Sequence, residues 1–331
     1  MSAEPADRIG GDVAVVSGGV GAARFLRGLR LVVAPQQIVA VVNTGDDTVL
    51  HGLSISPDLD TITYTLADAI DPERGWGLRD ESWRAMGALE RFQSVRPDGS
   101  AAAPTWFNLG DQDLATHFYR TARLAEGATL TEVTDEIRRS WELPIRIVPM
   151  TDDRLSTMVS VTESGSDELV EVSFQDYFVR LRHGVPVSAV RFDGDARLSD
   201  TAEAALRDAE VVVIAPSNPL VSIGPIRHLP GVDHLFAQRR QSVVAVSPIV
   251  GGAALKGPAD RMLVELGFEA SVVGVARLYA PIASTLVIDP ADEHLAADVE
   301  AAGMRCVVTP SIMSTPDIAA SLAQATLDAV R

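Results

Sequence analysis

The sequence predicts an α/β fold: a Rossmann-like, mostly parallel sheet with helices on both faces and a helical insertion. Three observations carry this. The β-branched run DVAVVS at 12–17 ends in the glycine loop SGGVG and enters AARFLRGLRLV, whose apolar residues recur at helical spacing; IVAVV at 38–42 then completes a βαβ unit. From 211 onward, VVVIAPSNP, SVVAVSPIVGG, TLVIDP and RCVVTPS are near-continuous apolar runs, each broken at its carboxyl end by Pro, Ser, Gly or Asp, as expected of parallel strands buried on both faces. Between them, a helical block covers about 60–140.

Taken in order, residues 1–11 read as a flexible N-terminus, and MSAEPADRIGGD, with acids ahead of a short apolar run, suits neither a signal peptide nor an anchor. A single domain is expected over 12–331. The stretch 60–92 is expected to be mostly helical with an interruption at Pro72 and Gly75, and Asp111 to Glu126 reads as another helix. IRIVPM and TMVSV read as strands separated by the turn TDDRLS; LVEVSF and VSAVRF are further strand candidates that would add antiparallel pairing. No repeat, low-complexity tract or linker interrupts the chain.

The chain has 331 residues, 47% of them hydrophobic, enough for one large domain. No stretch reaches the roughly 20 apolar residues of a membrane helix, so a cytoplasmic protein is expected. Its formal charge is −17 with no basic stripe, which argues against nucleic acid as a partner. An acidic protein binds a small polyanion only through backbone N–H groups, a few cationic side chains and a divalent cation. Cys306 is the only cysteine, so no intrachain disulfide forms, and MRCVVTP places it as a small core hydrophobe.

In open α/β sheets ligands bind beyond the carboxyl ends of the strands, and the polar motifs fall there. Gly18, Gly19 and Gly21 leave the first strand for a helix, where backbone N–H groups can approach phosphate oxygens at the positive helix end. The lysine and hydroxyl of a P-loop are missing, and only Gly19-x-Gly21 of the dinucleotide fingerprint is present; Arg24, one turn into the helix, is in reach of a phosphate. A tight turn with no ligand is the plain alternative.

After the second strand stands Asn43-Thr44-Gly45-Asp46-Asp47. Side chains diverge in a turn, so one Asp can bind a cation while the other caps a helix or orients a hydroxyl. Asp58-Leu59-Asp60 supplies a second acidic pair. Mg²⁺ takes one or two carboxylates plus water and phosphate oxygens, and Asp46 with Asp60 would suffice; turns and helix caps rich in Asp are the competing account. Ala215-Pro216-Ser217-Asn218-Pro219 and Ser247-Pro248-Ile249-Val250-Gly251-Gly252 can hold a base or ribose or simply end strands. For Gly110-Asp111-Gln112-Asp113, helix capping is the better-supported role. No histidine belongs to a metal-binding motif, and His51 and His117 read as surface or core residues. Trp76, Trp83 and Trp106 can stack a flat ring, though packing is their usual role.

The ordered series GGVGAARFLRGL, NTGDDTVLHGLSISPDLDTITYTLA, RGWGLRDESW, WFNLGDQDLATH, PMTDDRLST, APSNPLVSIGPI and VSPIVGGAALKGPAD resembles the 2-phospho-L-lactate transferase family (CofD/FbiA) of coenzyme F420 biosynthesis, from about 12 to 317. The resemblance implies Mg²⁺-dependent transfer of a phospholactyl, phosphoenolpyruvyl or related phospho-acid group from a guanosine diphosphate conjugate to the ribityl hydroxyl of 7,8-didemethyl-8-hydroxy-5-deazariboflavin (Fo), with release of GMP. It implies that Gly18, Gly19 and Gly21 cradle the diphosphate, with Arg24 where relatives often carry Lys or Arg, and that Ser217, Asn218 and the Gly251 region hold the guanosine. Asp46 and Asp60 are then the expected metal ligands; Asn43, Asp47 and Arg84 are expected at Fo or its hydroxyl, with Asp46 or Asp47 orienting the proton. A homodimer also fits this resemblance. Two rivals remain: an NAD(P)-dependent oxidoreductase, which leaves PDLD and APSNP unexplained, and a non-catalytic nucleotide-binding regulatory protein.

Overall fold

The computed structural model describes residues 12–100, 102–162 and 168–330; the N-terminal segment 1–11, expected to be flexible, lies outside the described residues. The chain opens with β1 (Val13–Ser17), α1 (Gly19–Leu29) and β2 (Ile38–Val42), then a small hairpin of β3 (Thr48–Leu50) and β4 (Leu53–Ile55). The helical insertion follows: α2 (Pro57–Leu66), α3 (Arg84–Leu89), α4 (Asp113–Ala125) and α5 (Leu130–Ser140). After β5 (Arg146–Pro149), the strands β6 (Ser156–Thr162), β7 (Leu169–Ser173) and β8 (Val187–Asp193) form an antiparallel sheet in the order β7-β6-β8.

The second half is regular: α6 (Asp200–Asp208), β9 (Val211–Ile214), α7 (Gly224–His228), α8 (Val232–Gln238), β10 (Val243–Val246) and a hairpin of β11 (Ile249–Val250) and β12 (Ala253–Ala254). It ends with α9 (Ala259–Glu265), α10 (Val272–Tyr279), β13 (Thr285–Ile288), α11 (Ala296–Ala301), β14 (Arg305–Val308) and α12 (Pro316–Asp328).

Seven strands make the main sheet in the order β14-β13-β10-β9-β1-β2-β5, and every pairing is parallel. The chain runs outward from β1 through β2 to β5, returns to β9 on the other side of β1, and runs outward again. The loops after β1 and β9 therefore diverge, which opens a crevice at the carboxyl edge. Alternation along β1 explains why its run is unbroken: Val13 and Val15 pack with Phe25, Leu26 and Leu29 of α1 on one face, while Ala14 and Val16 join Ile214, Phe236 and Tyr279 on the other. Each such large side chain contributes about 1.5–3 kcal/mol on burial.

The insertion is less helical than its spacing suggests. α2 stops at Leu66, and positive φ at Asp68, Gly75 and Gly77 turns the backbone away from a helix. Asp71 fixes the alternative, its Oδ1 accepting the N–H of Glu73 and of Arg74, each at 2.9 Å. Segment 67–83 is thus a structured loop that arches over the sheet edge. Cys306 lies half-buried on the edge strand β14 against the main core.

Candidate active site

A cavity of about 860 Å³ opens above β1, β9 and β10, walled by the 67–83 loop on one side and by the 174–183 segment between β7 and β8 on the other. Its floor begins with the glycine loop. Gly19 has φ +67°, a conformation that costs a residue with Cβ, and α1 starts without an acidic residue or side-chain cap in its first turn. Apart from the Gly19 N–H, which bonds to Asp58, the N–H groups and positive end of α1 remain available to an anion. Gly21 serves packing: a β-carbon there would lie 2.1 Å from the Pro216 carbonyl oxygen, so only glycine lets α1 sit against the loop after β9. Ser217 locks the two loops together by donating to the Gly18 carbonyl at 2.6 Å.

Beside the loop lies a buried pair of carboxylates, Asp46 and Asp58. Pro57 fixes the first position of α2, so Asp58 and Asp60 stand in its first turn, two residues apart and turned to opposite sides. Asp58 faces Gly19 and accepts a hydrogen bond from Asn43 Nδ2 at 3.0 Å; Asn43 Oδ1 in turn accepts the Gly45 N–H at 2.9 Å. Burial pushes the Asp58 carboxyl up to about 6, against the Asn43 and Gly19 hydrogen bonds that favour its anion. Asp46 is raised well above the ordinary carboxylate range, first by burial and then by the charge of Asp58; Thr157 and Asn43 offset part of this. Its Oδ1 is buried with no hydrogen-bond partner among the described residues. Two strained carboxylates and an orphaned oxygen are the donor set that a hard divalent cation satisfies.

Asp60 turns to a second buried network. Arg120 of α4 grips both of its oxygens, Nη1 at 3.1 Å from Oδ2 and Nη2 on Oδ1, and Arg120 is 2% exposed. His117 stands between, with Nδ1 3.8 Å from Asp60 and Nε2 3.4 Å from Asp113, while Tyr64 donates to Asp113 at 2.6 Å. Burial opposes ionisation of Asp113, but the His117 hydrogen bond and charge outweigh it and hold the carboxyl below its usual range. Ligand atoms of Asp60, Asp113 and His117 lie within 4.8 Å of one another, a spacing that can hold a metal, although the Arg120 guanidinium already neutralises Asp60.

The residues singled out from sequence divide accordingly. Gly18, Gly19, Gly21, Arg24, Asp46, Asp60, Ser217 and Asn218 all line the cavity. Asn43 and Asp47 lie behind it: Asn43 braces Asp58, and Asp47 accepts from the Ser56 hydroxyl at 2.6 Å, its own carboxyl raised by burial. Arg84 is exposed at the start of α3, outside the cavity, where its N–H contacts Asp111. That contact shows Asp111 capping α3 rather than α4. Gly251 lies outside too, its N–H on Asp292, though the neighbouring Val250 and the 254–259 turn form part of the wall.

Asp58 and His117 carry more of the site than spacing indicated, and Arg74 was not singled out at all. The helical position of Asp58 after Ser-Pro was the available signal, because residues two apart on a helix cannot share a ligand. Arg74 pairs with Asp71 at 2.9 Å and lies over the rings of Trp76 and Trp83 at 5.5 and 5.1 Å. Trp76, 43% exposed, and Trp106 both line the cavity, and Trp106 also packs against the small cluster of Leu50, Ile55, Met86 and Leu109.

A doubly wound sheet with a glycine turn and a buried acidic pair in its switch-point crevice has the architecture of an α/β enzyme whose site lies at the carboxyl edge of the sheet. A family model described as "2-phospho-L-lactate transferase CofD" matches residues 13–312. A phosphoenolpyruvate transferase of Kitasatospora aureofaciens is 40% identical over 95% of this chain and 96% of its own, and one of Mycobacterium bovis is 38% identical over 96% and 98%. The X-ray structure of a Bacillus halodurans protein superposes with a TM-score of 0.59 at 17% identity, covering 96% of this chain and 99% of that one, which establishes the shared fold. The chain belongs to the CofD family and is a phospho-acid transferase of coenzyme F420 biosynthesis. The oxidoreductase and non-catalytic alternatives give way to this membership. Among the described residues no helix is long and apolar enough to cross a membrane.

Proposed function

We propose that the protein transfers a phosphoenolpyruvyl group from a guanosine diphosphate conjugate to the ribityl hydroxyl of Fo, releasing GMP, with Mg²⁺ as the working metal. The observation that carries this is the juxtaposition, in one cavity, of the glycine turn with the buried Asp46–Asp58 pair. The choice of acid follows relatives 38–40% identical that are named phosphoenolpyruvate transferases. The phospholactyl and phosphoglyceryl donors are the alternatives in the same assay.

Asp46 and Asp58 would hold the cation. Asp60, expected in that role, is committed to Arg120, so the second position is assigned to Asp58. Bound there, Mg²⁺ would supply charge neutralisation to the phosphoryl oxygens. The N–H groups at the start of α1, with Arg24 one turn further on, bind the diphosphate. Ser217, Asn218 and the 247–250 loop after β10 flank the guanosine, and Trp76 and Trp106 give the flat deazaflavin a stacking surface. The acceptor oxygen attacks the phosphorus that carries the acid, the bond from that phosphorus to the bridging oxygen breaks, and GMP leaves with the bridging oxygen. Of Asp46 and Asp47, only Asp46 faces the cavity and orients the hydroxyl, whose proton passes to solvent.

The test is incubation of purified protein with Mg²⁺, Fo and each of the three donors, following GMP and the new deazaflavin by chromatography. Product with the phosphoenolpyruvyl donor preferred is the expected result; no product with any donor would overturn the proposal. A cytoplasmic homodimer belongs to the same proposal, and light scattering in solution tests the dimer.

A further inference from the structure

Lys256 is the only lysine in the chain. It sits in the turn between β12 and α9, exposed, and lines the cavity. Its side chain crosses to the opposite wall, where Nζ lies so near Gly75 that a β-carbon on that residue would be 2.7 Å from it. The four-carbon stem thus bridges the loop from the second half of the sheet and the loop of the helical insertion.

The charges facing this space are separated by position. On the floor, Asp60 is balanced by Arg120, and Asp113 is held by His117 and Tyr64. Of the lysine and arginines that line the cavity, Arg74 is paired with Asp71. Arg24, Arg182 and Lys256 have no carboxylate within ion-pair distance among the described residues. Arg24 is on α1 beside the glycine turn and serves the diphosphate end. Arg182 is in the turn after β7, against the far wall. Lys256 lies against the loop that carries Trp76, and with the acceptor ring placed there as proposed above it would stand between the two substrates. A donor carrying a carboxylate beyond its second phosphate brings one more negative charge into a cleft whose floor is acidic, and that charge needs a cation away from the floor. A compact ammonium on a flexible stem meets a small carboxylate without the planar match that a guanidinium asks for.

We propose that Lys256 binds the carboxylate of the transferred acid and so selects donors whose phospho-group is acidic. This rests on the transferase function proposed above and names the residue that reads its donor.

The single lysine makes a direct test available. Reductive methylation of the intact protein modifies Lys256 and the α-amino group, and peptide mass spectrometry reads each separately. The phosphoenolpyruvyl conjugate of guanosine diphosphate is expected to protect Lys256, whereas GDP, with the phosphates but no acid, protects it far less. Lys256→Met is expected to raise the KM for that donor roughly ten- to a hundredfold, with the KM for Fo and inhibition by GDP unchanged, and Lys256→Arg to recover most of the loss. Equal protection by GDP, with equal weakening of GDP by Lys256→Met, would overturn the proposal in favour of a phosphate contact. An unchanged donor KM would overturn it outright. The labelling experiment requires no turnover, so its outcome is separable from a failure of the transferase function itself.

Discussion

Replacing Asp58 by Asn should make the metal-free protein more stable at pH 8, the opposite of what removing a buried, hydrogen-bonded group usually does. Burial lifts the carboxyl from the ordinary 3.8 to about 6, which corresponds to roughly 3 kcal/mol opposing its ionisation. The amide side chain would keep an oxygen for the Gly19 N–H and for Asn43, losing only the charge-assisted part of those bonds, about 1–1.5 kcal/mol. It would also remove the repulsion that raises Asp46. The net expectation is a gain of about 1–2 kcal/mol, or roughly 2–6 °C in melting temperature.

The pH dependence has a definite sign. The folded protein holds the Asp58 proton between the unfolded carboxylate value and about 6, where the unfolded chain has released it, so this group costs stability as pH rises through that window. Wild-type protein in EDTA should therefore gain on the variant as pH falls from 8 to 5, and the difference should nearly vanish at pH 5. Adding millimolar Mg²⁺ at pH 8 should stabilise the wild type and leave Asp58→Asn almost unmoved. Urea or thermal unfolding at both pH values, with EDTA or Mg²⁺, measures all of this. An Asp58→Asn variant less stable than wild type at pH 8 in EDTA would refute the strained-pair account, and an equal Mg²⁺ effect on both proteins would remove Asp58 from the metal site.

Asp46→Asn should lower kcat at least a hundredfold while leaving the melting temperature in EDTA unchanged or raised, measured by GMP release and calorimetry. Gly21→Ala should cost more than about 2 kcal/mol or abolish soluble expression, because its β-carbon would meet the Pro216 carbonyl at 2.1 Å. Arg120→Met should destabilise by about 3–5 kcal/mol by stranding Asp60 and the nearby Asp47, with partial recovery in Arg120→Met/Asp60→Leu; urea titration of both decides it.

The sheet was legible because a strand buried on both faces leaves an unbroken apolar run, and seven such runs appear where the main-sheet strands fall. The three antiparallel strands were legible too, from β-branched runs bounded by turn residues. What escaped was the 67–83 loop, whose shape rests on Asp71 catching two N–H groups and on positive φ at Asp68. Side-chain capping inside a helical-looking stretch competes with the helix, and spacing cannot decide that contest. At the site, the glycine turn and Asp46 were readable from their places at strand ends. Which carboxylate neighbours Asp46 was not, because Asp58 and Asp60 are equivalent as letters and differ only once Pro57 fixes the helical phase. Arg120 and His117, far along the chain, had no local pattern to mark them.

That phase difference explains why four carboxylates can share one cleft floor. Asp60 and Asp113 are satisfied inside the protein by Arg120, His117 and Tyr64, and they tie the helical insertion to α2. Among the described residues, Asp46 and Asp58 have no such internal cation, and Asp46 keeps an oxygen without a partner. Buried charges persist only when something compensates them, so the first pair is a structural clamp and the second is the pair that the proposed cation would compensate. The clamp also fixes the first turn of α2, and with it the position of Asp58 relative to Asp46. Loosening Arg120 should therefore weaken Mg²⁺ binding even though Arg120 contacts neither proposed ligand. Isothermal titration of Mg²⁺ into Arg120→Lys, which keeps the charge but loses the two-pronged grip, should show weaker affinity than wild type; unchanged affinity would mean that the acidic pair holds its geometry without the clamp.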